Sequence, residues 1–166
     1  MSNSQDQAVY EVLLDSWDRN NRILVNPLRA VPDGGMDARA MDGSPSVAEM
    51  FTHIHYVRLV FVSEDAPQFA PKVPEEEWVA GHDRDRIAQM LDESAKVVRD
   101  AVKSKVDTGQ AFDIHYDHPI LFLQHMIWHE GYHHGQIKLA LKLAGNPISN
   151  EKAGPGSWRV WMNKAK

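Results

Sequence analysis

The stretch of sequence that is most informative about the fold runs from Gln124 to Ile137 and reads QHMIWHEGYHHGQI. Inside it, HEGYH matches the H-E-x-x-H pattern, in which two histidines one helical turn apart bind zinc and the glutamate activates water. The same residues belong to a longer helical pattern, which begins at Pro119 and ends at Ala144 before Gly145. One helix can therefore carry both a core-facing surface and part of a metal site.

Spacing identifies the inward side of this helix. One stripe contains residues at intervals of four, three, four, four, three and four. Its members are Phe122, Met126, His129, His133, Ile137, Ala140 and Ala144. Two histidines thus take positions that core aliphatic residues normally occupy. Because an unsatisfied buried imidazole costs about 1–3 kcal/mol, both rings need hydrogen bonds or a metal ion.

A further histidine, His125, leaves open which two histidines of this helix would bind a metal ion together. It precedes His129 by four residues, just as His133 follows it by four, and rings at this spacing can bind one ion together. His125 and His133 are about 12 Å apart along the helix axis, so one ion cannot bind all three rings. The pair is either His125/His129 or His129/His133, and the stripe favours the second. We expect His134, about 100° further round, to face solvent or to donate a hydrogen bond to a ligand ring.

The third ligand must come from another helix, and the second helical segment contains His53 and His55. Their side chains point ~200° apart, so we expect only one of them to face inward. His53 shares a stripe with aliphatic residues, whereas His55 shares one with Arg58, which we take to mark the wetter side. The sequence therefore favours His53.

Three more segments show helical periodicity, and none reads convincingly as a strand. The four predicted helices cover residues 6–30, 46–62, 83–106 and 119–144. Ser46 and Glu49 form a capping box at the start of the second, and Pro27 should kink the first or loosen its last turn. Asp117 is placed to cap the fourth, and His118, which also lies at a predicted helix start, is expected to have a surface or capping role, as are His82 and His115. The predicted inward side of the first helix is formed by Val9, Leu13, Trp17, Leu24 and Leu28.

The connections predict how the helices are arranged. The stretch 63–81 contains three prolines and is long enough to cross the length of a bundle. Near the end of the chain, Trp158 and Trp161 are expected to form a lid on the bundle or a subunit contact. The pattern as a whole predicts an all-α four-helix bundle with one long crossover, in a single domain over residues 1–166.

Composition restricts the possible functions. The chain has no cysteine, so any transition-metal site must be built from His, Asp, Glu and water. A net charge of −5 without a run of Lys or Arg argues against a nucleic-acid partner. No window approaches the ~20 apolar residues that span a bilayer, so we expect a cytoplasmic protein without a membrane partner.

A zinc protease does not fit the surroundings of HEGYH. The extended form of the motif needs glycine three residues and histidine six residues after the second histidine, where this chain has Gln136 and Leu139. The other form needs a glutamate ligand on a later helix, and the one glutamate after His133 is Glu151, in a loop-like setting. The sequence also lacks an edge strand to bind an extended peptide.

Two motifs resemble those of a known family. SVAEMFTHI, from Ser46 to Ile54, is similar to a second-helix motif that ends in the family's first metal histidine. WHEGYHHGQI, from Trp128 to Ile137, resembles its H-x-x-x-H motif followed by G-Q, and the terminal WRVW resembles a common ending. The family is that of the DinB/YfiT-like metalloenzymes, and the resemblance covers nearly the whole chain.

The resemblance implies that His53, His129 and His133 bind one divalent metal ion. It also implies up-down-down-up connectivity and frequent homodimers. Family members with an assigned activity are metal-dependent transferases or isomerases that use a low-molecular-weight thiol such as bacillithiol or mycothiol. The chain departs from the family at His134, where many members carry a basic residue or a different arrangement of paired histidines.

The resulting hypothesis is an enzyme in which the metal activates a small thiol or water for attack on an electrophilic substrate. Zinc is the first candidate, and nickel, iron and manganese are alternatives. The competing functions are a non-catalytic metal-binding or stress-response protein and a metal-dependent hydrolase. Glu130 is expected to be a base at the mouth of the site, a residue that orients a ligand ring, or an exposed carboxylate. Gln136 is a candidate donor to a ligand ring, and Gly135 a point of close approach for another helix.

Overall fold

The computed structural model describes residues 2–162, with side chains from residue 5 onward. Its helices are α1 (Ser2–Ala30), α2 (Val47–Asp65), α3 (Arg84–Asp107), α4 (Pro119–Leu143), α5 (Asn150–Gly156) and α6 (Trp158–Met162). The described residues form no strand, apart from an isolated bridge between Arg39 and Ser46. The all-α prediction is confirmed. The predicted domain also includes residues 1 and 163–166, which lie outside the described residues.

The four long helices form a bundle with up-down-down-up connectivity, as predicted. Helix α1 is antiparallel to α3, α2 is parallel to α3, and α4 is antiparallel to α2. The contacts that fix these directions join Trp17 with Ala95, Val31 with Arg84, His55 with Met90, Arg58 with Ser94, Arg58 with Glu130, and Asp65 with His115. Because α2 and α3 are parallel, the segment between them must travel back along the bundle. We call residues 66–83 the crossover segment.

The core consists of two apolar clusters separated by a polar layer. One cluster surrounds Leu28, Phe51 and Ile137 at one end of the bundle. The other surrounds Trp17 and Phe122 at the opposite end. Between them, at intermediate positions on each long helix, lie buried polar side chains: Asn20, Asn21, His53, Arg58, Ser94, Glu130 and His133. The candidate site therefore lies in the middle of the bundle and not at an end.

The capping box predicted at the start of α2 is present, whereas Asp117 does not cap α4. Ser46 and Glu49 form the complete capping box before α2. At α4 the cap is His118 and not Asp117, because the His118 ring nitrogen accepts a hydrogen bond from the Ile120 N–H. Pro119 takes the first helical position, where its missing N–H leaves no bond unmade.

The predicted inward side of α1 is correct for Trp17, Leu24 and Leu28, which are buried, and wrong nearer the N-terminus. Val9 is 61% exposed, whereas Tyr10 and Leu14 are buried together with Trp17. Apolar residues at several adjacent positions offer more than one stripe, and packing against the other helices selects among them. Pro27 lies inside α1, which continues to Ala30.

The exposure of the C-terminal tryptophans does not fit a lid packed on the bundle, and the alternative, a subunit contact, stays a prediction. Trp158 and Trp161 are 66% and 46% exposed, and Val160 between them is the buried residue of α6. Helix α5 packs against α1. Within residues 2–162, no helix has the length and apolar character needed to cross a membrane.

Candidate metal centre

Three histidines meet in the middle of the bundle. His53 comes from α2, and His129 and His133 come from successive turns of α4. The Nε2 atom of His129 lies 3.3 Å from Nε2 of His53 and 3.1 Å from Nε2 of His133. A ligand atom from each residue lies within 4.8 Å of the other two. Three nitrogen atoms from two antiparallel helices thus face one small volume.

These distances fit a first-row divalent metal. Zinc binds imidazole nitrogen at about 2.0–2.1 Å in tetrahedral geometry, which places two such nitrogens about 3.3–3.4 Å apart. An octahedral ion with the same bond length holds neighbouring nitrogens about 2.9–3.0 Å apart. The observed 3.1 and 3.3 Å lie between these values. The three side chains can therefore bind one ion and leave at least one coordination position for a further ligand.

The electrostatics of the site favour neutral rings. Burial and, to a smaller extent, the positive charge that His133 can carry lower the pKa of His53 to about 4. Burial and the neighbouring His133 likewise lower the pKa of His129 to about 4. Burial also lowers the pKa of His133, while contact with Gln136 acts in the opposite direction. Neutral imidazole is the form that binds a metal ion, so the rings need not lose a proton at neutral pH.

The second ring nitrogen of each histidine, Nδ1, does not have the same surroundings in all three residues. The Nδ1 atoms of His129 and His133 are buried and have no hydrogen-bond partner. His53 Nδ1 lies 2.8 Å from Glu77 Oε1, which is ion-pair distance, but the carboxylate is not aligned as a hydrogen-bond acceptor. A metal-binding histidine normally donates its second N–H to a carboxylate, a carbonyl or water. Glu77 is such a carboxylate.

The alternative pair on α4 is not formed. His125 Nδ1 lies 2.7 Å from the Tyr116 hydroxyl, and His125 is not part of the histidine cluster. On α2, His53 and His55 are both buried, contrary to the expectation that only one would face inward. They lie on different sides of the helix: His53 faces α4, and His55 Nδ1 lies 2.8 Å from the Met90 carbonyl oxygen of α3.

Next to the histidines is a buried ion pair that the sequence analysis did not predict. Arg58 and Glu130 are both fully buried and make two parallel hydrogen bonds of 2.6 and 2.8 Å. Asn20 donates a third hydrogen bond to the Glu130 carboxylate. Arg58 also donates to the Asn21 side chain and to the Leu91 carbonyl oxygen. The network joins all four long helices beside the histidines.

This ion pair corrects two sequence predictions. Arg58 does not mark a wet side of α2, because its charge is satisfied inside the core. The preference for His53 was therefore right in outcome and wrong in its reason. Glu130 is neither exposed nor a base at the mouth of a site, because both of its oxygens accept hydrogen bonds from Arg58 and Asn20. The signal that could have found the pair is the presence of opposite charges on two helices predicted to pack together.

His134 and Gly135, two further residues near the motif, are placed differently from the prediction. His134 is partly buried, and its Nε2 has no hydrogen-bond partner. Gly135 is not a point of close helix approach, because a Cβ atom added there would meet nothing within 4 Å. Gln136 lies beside His133, as its effect on the pKa of that ring indicates.

The crossover segment supplies contacts to His53 that helix patterns could not reveal. The Trp78 indole stacks on the His53 ring, with centroids 3.9 Å apart and planes 2° from parallel. The preceding residue is Glu77, described above. The following residue is Val79, whose N–H donates a hydrogen bond to the Thr52 hydroxyl. The Val79 carbonyl oxygen lies 3.1 Å from the same hydroxyl. Three consecutive crossover residues thus contact two consecutive residues of α2.

The fold and site define a class of protein: an all-α bundle with a His₃ cluster able to bind a divalent metal ion. The family model described as DinB family matches residues 1–151. The chain belongs to the DinB family.

A solved structure shares the fold. A DinB-like protein from Bacillus cereus ATCC 10987 matches with a TM-score of 0.68 and 19% sequence identity, over 84% of this chain and 95% of that chain. Among curated proteins, none matches this chain.

Proposed function

We propose that this protein binds one divalent metal ion through His53, His129 and His133, and that it is an enzyme that activates a low-molecular-weight thiol or water. The observation that carries this proposal is the convergence of three Nε2 atoms at separations of 3.1 and 3.3 Å. Zinc is the first candidate, and nickel, iron and manganese are alternatives, because imidazole suits several of these ions.

The ligand set favours an anionic further ligand. Three neutral imidazoles leave the full 2+ charge of the ion uncompensated. A bound divalent metal lowers the pKa of a thiol or water molecule that it binds, and so supplies a nucleophile at neutral pH. The residues of this chain hold the ion, keep the three rings neutral and shield one side of His53 with Trp78. A thiol cosubstrate is consistent with a cytoplasmic location, where small thiols are kept reduced.

Metal analysis is the first experiment. Protein purified without a histidine tag is expected to contain close to one ion per chain after dialysis. His129→Ala should abolish stoichiometric uptake. The matched control is His82→Ala, because His82 is an exposed histidine outside the cluster. Uptake that is absent from the wild-type protein, or equal in the wild type and His129→Ala, would contradict the proposal.

Activity assays then separate the competing functions. Consumption of bacillithiol, mycothiol or glutathione in the presence of a chloro-arene or an epoxide, lost in His129→Ala, would support thiol transfer. Cleavage of esters or amides without thiol would favour a metal-dependent hydrolase. Inactivity in both assays with metal bound would favour a non-catalytic metal-binding or stress-response protein.

We also propose that the protein forms a homodimer through an apolar stripe on α4. Trp128 and Tyr132 are 70% and 56% exposed and stack with their planes 16° apart. Exposed apolar residues lie close to one line along the helix: Leu121, Trp128, Tyr132, Leu139 and Leu143. Spacings of seven residues, as between Leu121 and Trp128, suit a second helix packed alongside, and one stripe can pair with its own copy about a two-fold axis.

Light scattering tests the dimer. The wild-type protein is expected at twice the chain mass, and Trp128→Glu at the chain mass because a charge in the interface would be desolvated. Ile114→Glu, at an exposed apolar residue away from α4, is the control. A monomeric wild type would contradict the dimer without affecting the metal proposal.

A further inference from the structure

The crossover segment contacts His53 on the side of the ring that faces away from the other two histidines. His53 directs Nε2 toward His129, while Nδ1 lies 2.8 Å from Glu77 Oε1. Trp78 covers one face of the same ring at 3.9 Å. Neither His129 nor His133 has a comparable partner at Nδ1. His53 is therefore the ligand whose second nitrogen lies beside a carboxylate.

The three rings can satisfy one another in a way that competes with metal binding. His129 Nε2 lies within hydrogen-bond distance of Nε2 of both neighbours. In metal-free protein, His53 and His133 can each donate from Nε2–H to His129. A metal ligand instead presents the Nε2 lone pair, so its proton must be on Nδ1. Metal binding at His53 therefore requires one particular tautomer of its ring.

We propose that Glu77 is a positioning residue that selects the Nδ1–H tautomer of His53 and so prepares its Nε2 atom for the metal. This inference rests on the proposed function. A carboxylate accepts a hydrogen bond from Nδ1–H but has nothing to donate to an unprotonated Nδ1, so it stabilises one tautomer. A rotation of the Glu77 side chain aligns an oxygen with the N–H. The charge of a bound divalent ion strengthens this bond.

Neighbouring contacts keep the crossover segment in place for this role. Val79 N–H donates a 3.0 Å hydrogen bond to the hydroxyl of Thr52, the residue before His53, and Thr52 is buried. The parallel stacking of Trp78 fixes the plane of the His53 ring. The Glu77 backbone is thus held next to the two residues that fix the segment to α2, which limits how far its carboxylate can move from Nδ1.

The chain provides a matched control. Glu76 precedes Glu77 in the same loop, carries the same charge and is exposed. No hydrogen bond or ion pair of Glu76 occurs among the described residues. Comparing Glu76→Ala with Glu77→Ala therefore separates a contact with His53 from the loss of a negative charge near the site. Glu77→Gln keeps an acceptor oxygen but removes the charge.

The first test measures the tautomer in metal-free protein. Long-range ¹H–¹⁵N correlation spectra at neutral pH distinguish the two tautomers of a histidine ring. The wild type and Glu76→Ala are expected to show His53 predominantly as Nδ1–H. In Glu77→Ala the Nε2–H form should become predominant. An unchanged His53 tautomer in Glu77→Ala would overturn the inference, and this result does not depend on whether the protein binds metal.

The second test measures metal affinity by competition with a chromogenic zinc chelator. Glu77→Ala is expected to bind zinc about 10–100-fold more weakly than the wild type, as is typical when the carboxylate partner of a ligand histidine is removed. Glu77→Gln should lie between the two, and Glu76→Ala should equal the wild type. Equal affinities for Glu77→Ala and Glu76→Ala would overturn the inference. No binding by the wild-type protein would instead contradict the proposed function.

Discussion

Two polar clusters lie side by side in the core and differ in how completely they are satisfied. In the first, Arg58 and Glu130 are fully buried and make two hydrogen bonds to each other, supplemented by Asn20 and Asn21. In the second, three histidine nitrogens converge on one another, and two buried Nδ1 atoms have no partner. Both clusters lie between α2 and α4, and Glu130 follows His129 directly in the chain.

The ion pair stabilises the fold, whereas the histidine cluster is available to bind a ligand. Buried charges remain in a protein core when they are paired and hydrogen-bonded, as Arg58 and Glu130 are. Buried groups without partners destabilise the fold, and they are typical of sites that bind a ligand. The ion pair therefore holds α2 and α4 together. The relative position of these helices in turn brings His53 close to His129 and His133.

The largest effect on stability is expected from Glu130→Ala. This change leaves the Arg58 guanidinium buried without its carboxylate, which typically costs about 3–5 kcal/mol. The measurement is the free energy of unfolding of metal-free protein by urea titration. Replacing both partners, in Arg58→Met with Glu130→Leu, should restore much of this loss because no charge remains unpaired. A double variant less stable than Glu130→Ala would show that the pair does not act as a unit.

The pH dependence of stability should come largely from the histidines. The pKa values of His53 and His129 are lowered to about 4 by burial, whereas both rings titrate near 6.5 in the unfolded chain. Between pH 6.5 and 4 the unfolded state takes up protons that the folded state does not. The free energy of unfolding should therefore fall as pH falls, by up to about 1.4 kcal/mol per pH unit for each ring.

This loss of stability is absent above pH 6.5 and reaches its full size on approaching pH 4. Urea titrations of metal-free protein between these values measure the slope. His129→Ala should show a shallower slope than the wild type, because one of the titrating rings is absent. Equal slopes in the two proteins would assign the pH dependence to other groups, among them His134.

At neutral pH, removing a ring from the histidine cluster should affect stability far less than breaking the ion pair. His129 is only partly buried and its Nδ1 has no partner. His129→Ala in metal-free protein is therefore expected to change the free energy of unfolding by about 1 kcal/mol or less. A loss as large as that of Glu130→Ala would contradict the distinction between the two clusters.

The smallest effect is expected on the outer side of the same helix. Gly135 lies within α4 with a helical backbone, and an added Cβ would meet nothing within 4 Å. Gly135→Ala should stabilise the protein by about 0.5–1 kcal/mol, because glycine is the less favourable residue in a helix. Thermal unfolding measures the change, and zinc affinity should remain that of the wild type. A destabilised variant would indicate that the helix face is covered in solution.

The sequence contains enough information for the bundle because helix periodicity, caps and connection lengths are local. The Ser46–Glu49 capping box predicted the start of α2, and the long stretch after α2 predicted a crossover. The stripe on α4 placed His129 and His133 toward the core, and the structure brings His53 to them. That these residues bind metal stays a prediction.

The errors arose where long-range pairing overrides local pattern. Arg58 was taken as a surface marker because charged residues are rarely buried unless paired, and its partner Glu130 is 72 residues away. The cap of α4 was assigned to Asp117, one residue before the observed cap His118. Glu77 and Trp78 lie in a segment without periodicity, so nothing in the local sequence connected them with His53.

X-ray absorption at the zinc edge tests whether His53, His129 and His133, from two helices, bind one ion. The fully loaded wild type is expected to show three imidazole nitrogens at about 2.0–2.1 Å, with at least one further light-atom ligand. In His53→Ala the imidazole count should fall to two, with weaker binding. A wild-type spectrum with fewer than three imidazoles, or one that His53→Ala leaves unchanged, would contradict the binding of one ion by all three histidines.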